Sequence, residues 1–330
     1  MAFLYDARHV FYSQFFVTPA LPKSSCEGKT VIVTGANVGL GYEAAKHFVR
    51  LGAEKVILGC RSVEKGQTAA EAIEREEHRT GVVEVWQLDL SKYESVEQFA
   101  KKVDGLKRID MIIENAGIAT EKFSKAEADE STITVNVVST FLLALLALPA
   151  LKRTAETYSI TPTLTIVSSD VHFFVEFPER NAQTSIFEAL SDSTKANMSE
   201  RYHVSKLLEI LVVRELCQTQ ISRPYPVTIN TPTPGFCYSE LVREAEGTWR
   251  GTFYNIMKRL VARTTEVGSR TLVLCGLAGQ ETHGEWMVDG KPARTSSFTT
   301  SEEGKKVGAR VWKELSEKLE AIHPGILRNL

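Results

Sequence analysis

A single-domain α/β fold built on a doubly wound parallel sheet is the class this sequence predicts. Strand-like and helix-like runs alternate through the first 235 residues. A glycine-rich turn joins the first of these strands to the first helix. The apolar periodicity never pauses long enough to mark a linker. A length of 330 residues would accommodate two domains at roughly 150 residues each, but the unbroken pattern favours one domain spanning 1–330, with about seven strands.

The elements follow in order. Lys29–Val33 is a short β-rich run ending in Thr34-Gly35, and Tyr42–Leu51 is helical by pattern. Lys55–Leu58 is a strand and Ser62–His78 a charged, alanine-rich helix. Val82–Leu88, Ile109–Ile113, Thr163–Val167 and Pro226–Asn230 read as further strands, with Ser91–Val103 and Arg201–Gln218 as helices between them. A long helix is expected over Ala126–Lys152, with Pro149 near its end. Rich in Leu and Ala, it would face either the core or a twin subunit in a homodimer. Gly284–Asp289 could supply a last strand and Glu302–Ile322 reads as an amphipathic C-terminal helix. Right-handed crossovers then place helices on both faces of the sheet.

Composition narrows the function classes. With 43% hydrophobic and 24% charged residues the chain can bury a large core and is not intrinsically disordered. A formal charge of −2 provides no global basic field for nucleic acid or an anionic membrane. Cys26, Cys60, Cys217, Cys237 and Cys275 are scattered, without a CxxC or Cys/His cluster, so no metal site is expected. Such cysteines read as buried thiols in a reducing compartment, and a cytoplasmic location is expected. The longest apolar run, Phe141–Leu151, has 11 residues, too few to cross a bilayer. The N-terminal arm, residues 1–27, carries Phe11, Tyr12, Phe15 and Phe16. Two readings stand for it: packing on the domain or a partner subunit, or contact with a membrane surface. The lack of clustered Lys and Arg weakens the second.

Two short segments carry the chemistry. The first is Thr34-Gly35-Ala36-Asn37-Val38-Gly39-Leu40-Gly41, between a strand and a helix. Glycines let the backbone turn tightly and approach a pyrophosphate, and the helix start offers free N–H groups and a positive dipole end. This context predicts dinucleotide binding. A fold that prefers NAD usually ends its second strand in an acid that binds the ribose 2′-OH. Here the slot holds Cys60 and Arg61. Arg61 can pair with a 2′-phosphate, so NADP(H) is expected over NAD(H); the plainer reading is a solvated surface arginine.

The second segment is Tyr202-His203-Val204-Ser205-Lys206, whose four-residue spacing puts Tyr202 and Lys206 on one helix face. It lies one element after Ile166-Val167-Ser168-Ser169, at the end of a strand. Ligands in such sheets bind outside the carboxyl ends of the strands, so both elements reach one crevice. Carbonyl reduction by hydride needs a proton for the developing alkoxide. A tyrosine, with a free pKa of about 10, can supply it. A neighbouring Lys⁺ should lower that value. Tyr202 would then act as acid in reduction and base in oxidation, with a serine hydroxyl, Ser169 ahead of Ser168, polarising the substrate oxygen.

The spacing TGxxxGxG resembles the short-chain dehydrogenase/reductase family, and further segments match it over roughly residues 28–288. Glu114-Asn115-Ala116-Gly117 stands where the family carries NNAG, with Glu114 departing from the usual Asn. Leu88-Asp89-Leu90 matches the third-strand Asp that contacts adenine. Pro234-Gly235 with Ser239 matches the segment that covers the nicotinamide. The resemblance implies a single-domain Rossmann fold, a nicotinamide cofactor and a tetrad of Asn136, Ser169, Tyr202 and Lys206. Asn136 would anchor a proton-relay water and Lys206 would bind the nicotinamide ribose. The 33-residue gap from Ser169 to Tyr202, His172 and the CRSVEKG stretch look like the retinol-dehydrogenase branch. Soluble fungal members of that branch, often found in secondary metabolism, are similar in layout.

Two variable regions should roof the substrate pocket. Asp170–Asn197 carries Phe173, Phe174, Phe177 and Phe187, and a lid over residues 236–257 carries Phe236, Tyr238, Trp249, Phe253 and Tyr254. His172, Phe236, Tyr238, Trp249 and Phe253 are the expected substrate contacts, suited to a bulky apolar ketone, aldehyde or alcohol. Alternatively these aromatics pack a lid core. The implied activity is an NADPH-dependent carbonyl reductase or alcohol dehydrogenase. A redox-neutral cyclase or isomerase, or a non-catalytic NADP-binding protein, would use the same scaffold.

Overall fold

A computed structural model describes residues 2–222, 224–238 and 261–330. The first strand, β1 (Thr30–Thr34), is followed by β2 (Lys55–Cys60), β3 (Val83–Gln87), β4 (Met111–Glu114), β5 (Thr163–Ile166), β6 (Thr228–Thr233), β7 (Trp286–Val288) and β8 (Lys291–Ala293). The sheet order is β8-β7-β6-β5-β4-β1-β2-β3, parallel except for β8. About seven strands were expected; the eighth is an antiparallel edge. Its signal lay in Asp289-Gly290, both at positive φ (52° and 79°), as a two-residue hairpin turn requires.

Alternation along the strands explains why both faces are covered. Ile32, Ile57 and Ile112 point into one apolar cluster. Their neighbours Val31, Val33, Val56, Leu58, Met111 and Ile113 point into a second on the opposite face. Strands buried on both sides must be apolar throughout, which is how β1, β2 and β4 read. Helices α2 (Gly39–Arg50), α3 (Val63–Glu76) and α7 (Thr265–Gly276) cover the second cluster. Helices α4 (Tyr93–Asp104), α5 (Thr140–Tyr158) and α6 (Met198–Glu215) cover the first, with α8 (Glu302–Ile322) packed outside α6. Phe177 and Phe187, expected over the substrate, are 1% exposed and belong to this first cluster.

The long helix departs from its expected start. Lys125–Ala126 and Asp129–Glu130 instead form a small antiparallel ladder. The helix begins at Ser131 because the Glu130 carboxylate accepts from the Thr132 and Ile133 amides. It passes through a π-helical turn, Thr134–Ser139, into α5. Over Ser131–Tyr158 it is long and apolar enough to cross a membrane, but 89% of its most apolar window is buried within the fold. It is therefore a core helix, and its apolar faces are occupied by its own chain. Pro149 sits inside α5. Proline has no N–H, which leaves the carbonyl four residues back without its helical partner. Asn329 Nδ2 donates to that Leu145 carbonyl at 3.1 Å, and Lys152 Nζ donates to the carbonyls of Asn329 (2.8 Å) and Leu330 (2.6 Å).

The N-terminal arm forms a helix, α1 (Ala2–Phe16). Polar side chains tie it down, while Phe11, Tyr12, Phe15 and Phe16 stand 52–77% exposed. The expectation that these rings pack on the domain is not met. Ser13 Oγ donates to Asp289 at 2.6 Å, and Arg263 reaches from Asp289 (2.8 Å) to the carbonyls of Ser13 (2.6 Å) and Val17 (2.9 Å). All five cysteines are buried free thiols.

Asn329→Ala should orphan the Leu145 carbonyl and lower stability by about 1–2 kcal/mol. A reduced urea midpoint at unchanged m-value is the expected measurement; an unchanged midpoint would mean that the proline gap is filled by other means.

Candidate active site

The winding of the sheet reverses between β1 and β4, and the crevice at their carboxyl ends gathers the motifs. Gly39 opens α2 at φ 64°, a backbone conformation that side chains disfavour, and a Cβ there would meet nothing within 4 Å. No side chain caps this helix start, whose N-cap residue is Val38. The helix therefore starts without a side-chain acceptor, and Gly39 borders open space, as an anion cradle requires. Gly41 is glycine for a different reason: a Cβ would stand 2.6 Å from both the Gly35 carbonyl and Asn115 Nδ2. Asn115 locks the cradle by donating to the Thr34 carbonyl at 2.9 Å, while the Asn115 and Ala116 amides donate to Thr34 Oγ1.

At the end of β2, Cys60 is buried and its sulfur accepts from the Ala36 and Asn37 amides. Burial is the larger influence and pushes its thiol up to about 11. Arg61 is exposed and makes no ion pair among the described residues. After β3, Asp89 Oδ1 accepts from the Ser91 amide and hydroxyl, which fixes the turn, while the Leu90 side chain is buried. Gly235 lies at φ 75° after Pro234. The next residue, Phe236, exchanges hydrogen bonds with Gln14 of α1: its amide donates to Oε1 (2.9 Å) and its carbonyl accepts from Nε2 (3.0 Å). Gln14 also donates to Val261 at 2.7 Å. Residues 236–238 and 261–263 are held together by amides of Tyr238 and Arg263 donating across the gap. Tyr238 is 51% exposed. Ser239, Trp249, Phe253 and Tyr254 lie outside the described residues.

Ser169, Tyr202, Lys206 and Asn136 converge on the same crevice. Lys206 Nζ stands 5.7 Å from the centre of the Tyr202 ring, and a Cβ on Gly117 would lie 3.8 Å from it. The two serines separate cleanly. Ser168 is buried and donates to the Lys206 carbonyl at 2.9 Å. Ser169 is partly exposed and faces the Tyr202 phenol, where its hydrogen bond favours ionisation. Burial nevertheless dominates, and it holds the Tyr202 pKa above the ordinary value of 10, against the pull of Lys206 and Ser169. The net lowering expected from Lys206 alone does not occur, because burial outweighs it, with Glu209 and Asp170 adding smaller contributions in the same direction.

Asn136 sits in the π-helical turn, a distortion common at functional sites. Its amide is fully engaged: Nδ2 donates to the Ile118 carbonyl and Ser205 Oγ, both at 2.9 Å, and Oδ1 accepts from the Ile118 amide at 2.9 Å. Its side chain thus ties the loop after β4 to α6. His172 departs from its expected substrate contact. It is 2% exposed, Nε2 accepts from the Ser296 amide, and Nδ1 therefore carries the proton and donates to the Ser169 carbonyl at 2.8 Å. It fixes the backbone beside Ser169. A cavity of about 520 Å³ opens between His172, Phe177, Arg180, Leu207 and Phe298, and none of the four converging residues lines it.

Comparison with known proteins agrees with this geometry. A family model described as short chain dehydrogenase matches residues 29–161. The protein dmxR8 of Cryptosporiopsis sp. (strain 8999), a short chain dehydrogenase/reductase, is 47% identical over 325 residues, covering 96% of this chain and 98% of that protein. The chain belongs to the short-chain dehydrogenase/reductase family. The short-chain dehydrogenase anuD of Penicillium roqueforti (strain FM164) is 44% identical, covering 97% of this chain and 85% of its own. Among solved structures, an uncharacterized protein from Mycobacterium paratuberculosis superposes with TM-score 0.66 at 26% identity, covering 91% and 96% of the two chains. A short-chain dehydrogenase from Sphingobium yanoikuyae, solved in complex with NADPH, shares the fold at TM-score 0.55 and 19% identity, covering 74% and 83%. As a member of this family the protein is an oxidoreductase that acts on CH–OH or C=O groups of small molecules and binds a nicotinamide cofactor.

Several residues of this short-chain dehydrogenase/reductase were not singled out from sequence. Gln14 and Arg263 reach the site through contacts hundreds of residues apart in the chain, which leave no local signal. Glu209 did leave one, at i+7 from Tyr202 and i+3 from Lys206, on the same helix face. Lys206 donates to it at 2.8 Å.

Gly41→Ala should weaken NADPH binding at least about tenfold, because the cradle must open to admit the methyl group. Titration of the reduced nucleotide by fluorescence checks this; wild-type affinity would place the nucleotide elsewhere.

Proposed function

We propose that the protein is an NADP(H)-dependent reductase that interconverts a bulky apolar ketone or aldehyde and its alcohol. The observation that carries this reading is the convergence of Ser169, Tyr202 and Lys206 at the mouth of the nucleotide crevice. The cradle fits a dinucleotide, since the uncapped start of α2 and the open space at Gly39 suit a pyrophosphate. Gly35 to Gly41 would hold it, Asp89 and Leu90 would flank the adenine, and Pro234, Gly235 and Ser239 would cover the nicotinamide. When bound, this cofactor supplies or accepts the hydride. Arg61, exposed and without an ion-pair partner among the described residues where NAD-preferring folds carry an acid, supports NADP(H).

The chain's own residues handle the proton. Ser169 donates a hydrogen bond to the substrate oxygen, and Tyr202 delivers the proton to it. A phenol held above its ordinary pKa is protonated at neutral pH, which suits donation and therefore reduction. Lys206 moderates the effect of burial and would hydrogen-bond the nicotinamide ribose. Asn136 holds the loop after β4, so a relay water would use its main-chain carbonyl. Similarity over nearly the full length to the Cryptosporiopsis and Penicillium proteins supports a fungal setting, and we read a role in secondary metabolism from the resemblance to soluble fungal members.

Purified protein should consume NADPH with a member of a panel of bulky ketones and aldehydes. Tyr202→Phe should lower kcat by about 100-fold or more; equal rates would remove the acid/base role. Product formed without NADPH consumption would indicate redox-neutral chemistry. Arg61→Asp should weaken NADPH binding by about tenfold while sparing NADH, measured by parallel titrations.

A further inference from the structure

Two buried carboxylates lie behind the reacting pair, and neither has a role in the chemistry above. Glu209 is 1% exposed and its Oε1 accepts from Lys206 Nζ at 2.8 Å, while Nζ also donates to the Val167 carbonyl at 2.9 Å. Among the described residues Glu209 Oε2 has no close hydrogen-bond partner, though the Ser168 hydroxyl stands near enough to favour its carboxylate. Glu114, at the end of β4, is 4% exposed, and neither of its oxygens has a hydrogen-bond partner among the described residues. Two neighbouring carboxylates out of water, only one of which, Glu209, is bonded to a lysine, cannot both keep their charge at low cost. The hydrogen-bonded one retains it, and the orphaned one takes a proton.

We infer that Glu209 is a positioning residue, its carboxylate clamping the Lys206 ammonium and opposing it at Tyr202, with Glu114 beside it as a neutral acid. This inference rests on the reading of Tyr202 and Lys206 as the reacting pair. Above about pH 7 the set carries Lys206⁺ and Glu209⁻, with Glu114 the more weakly acidic of the two carboxyls. The surroundings agree with it. Burial, reinforced by Glu209, drives Glu114 well above the usual carboxylate range. Burial also raises Glu209, to about 7, against the pull of Lys206. On Lys206, Glu209 and Tyr202 together outweigh burial and raise its pKa, so the ammonium persists. The other ionisable groups beside Tyr202 are Lys206 and His203 of its own helix, the His203 ring 6.2 Å away, and Asp170 in the turn after β5, whose ionisation Arg263 favours and Asp289 disfavours.

The sign of the effect follows. Glu209 carboxylate makes Tyr202 harder to ionise, so Glu209→Gln should lower the apparent pKa of the kcat profile by about one unit. Glu209→Asp, which keeps the charge, should return it toward the wild-type value. A lower kcat with an unmoved pKa in E209Q would reduce Glu209 to a structural role and overturn the inference. Failure of wild type to turn over any carbonyl, or full activity in Tyr202→Phe, would sink the functional reading instead. A second arm needs no substrate. A carboxyl whose pKa is raised on folding stabilises below its unfolded pKa, about 4.3, and that stability is lost as pH rises toward the folded value. Glu114→Gln removes this loss, so its thermal midpoint should climb relative to wild type from pH 5 to pH 8. A pH-independent difference would show that Glu114 is not held neutral, which overturns the inference even if E209Q does not fold.

Discussion

Between β1 and β4 the sheet changes its direction of winding, and the connections from these strands leave on opposite faces. The crevice opens at that point of divergence, while the central strands β1, β2 and β4 are capped by apolar side chains from helices above and below. Polar groups that must meet a ligand can therefore collect only along the carboxyl edge near this point. The glycine turn after β1, the Asn115 lock after β4, the two serines after β5 and the Tyr202–Lys206 face of α6 all open onto it. Each is held by a bond to a neighbouring strand end: Asn115 to Thr34, Ser168 to Lys206, Lys206 to Val167.

Burial is what gives these groups their chemistry and also what constrains them. The crevice lies over a dry core, so each charge brought there must be matched locally. Lys206 is matched by Glu209, and Tyr202 keeps its proton because burial and two acids outweigh one ammonium. The same economy governs the periphery. Arg263 is buried only because Asp289 and three carbonyls receive its guanidinium. That network joins the N-terminal helix to the residues on either side of the 239–260 segment. The arm is thus tied to residues 236–238 and 261–263, although its Phe11, Tyr12, Phe15 and Phe16 rings are exposed.

Legibility followed distance along the chain. The cradle was readable because its requirements are met within eight residues, and Tyr202 with Lys206 because one helical turn relates them. Glu209 was readable by the same rule, but its meaning depends on Glu114, which comes from another strand. Helix boundaries were less clear. Apolar periodicity continued past Glu130, yet that side chain caps the helix there. Pro149 looked like an ending, yet the helix continues because Asn329 supplies the donor that proline lacks. His172 looked like a ligand contact, yet both of its nitrogens serve the backbone.

By itself, then, the sequence determined the alternation of strands and helices, the glycine turn and the residue types of the proposed reacting set. These depend on periodicity and short-range geometry, which a chain carries wherever it folds. The tertiary structure decided which of two adjacent serines meets Tyr202, which carboxylates lie behind Lys206, and that Tyr202 holds its proton more tightly than a free phenol. Those outcomes depend on desolvation and on charges from distant segments, and neither exists until the sheet and its helices have closed around the site.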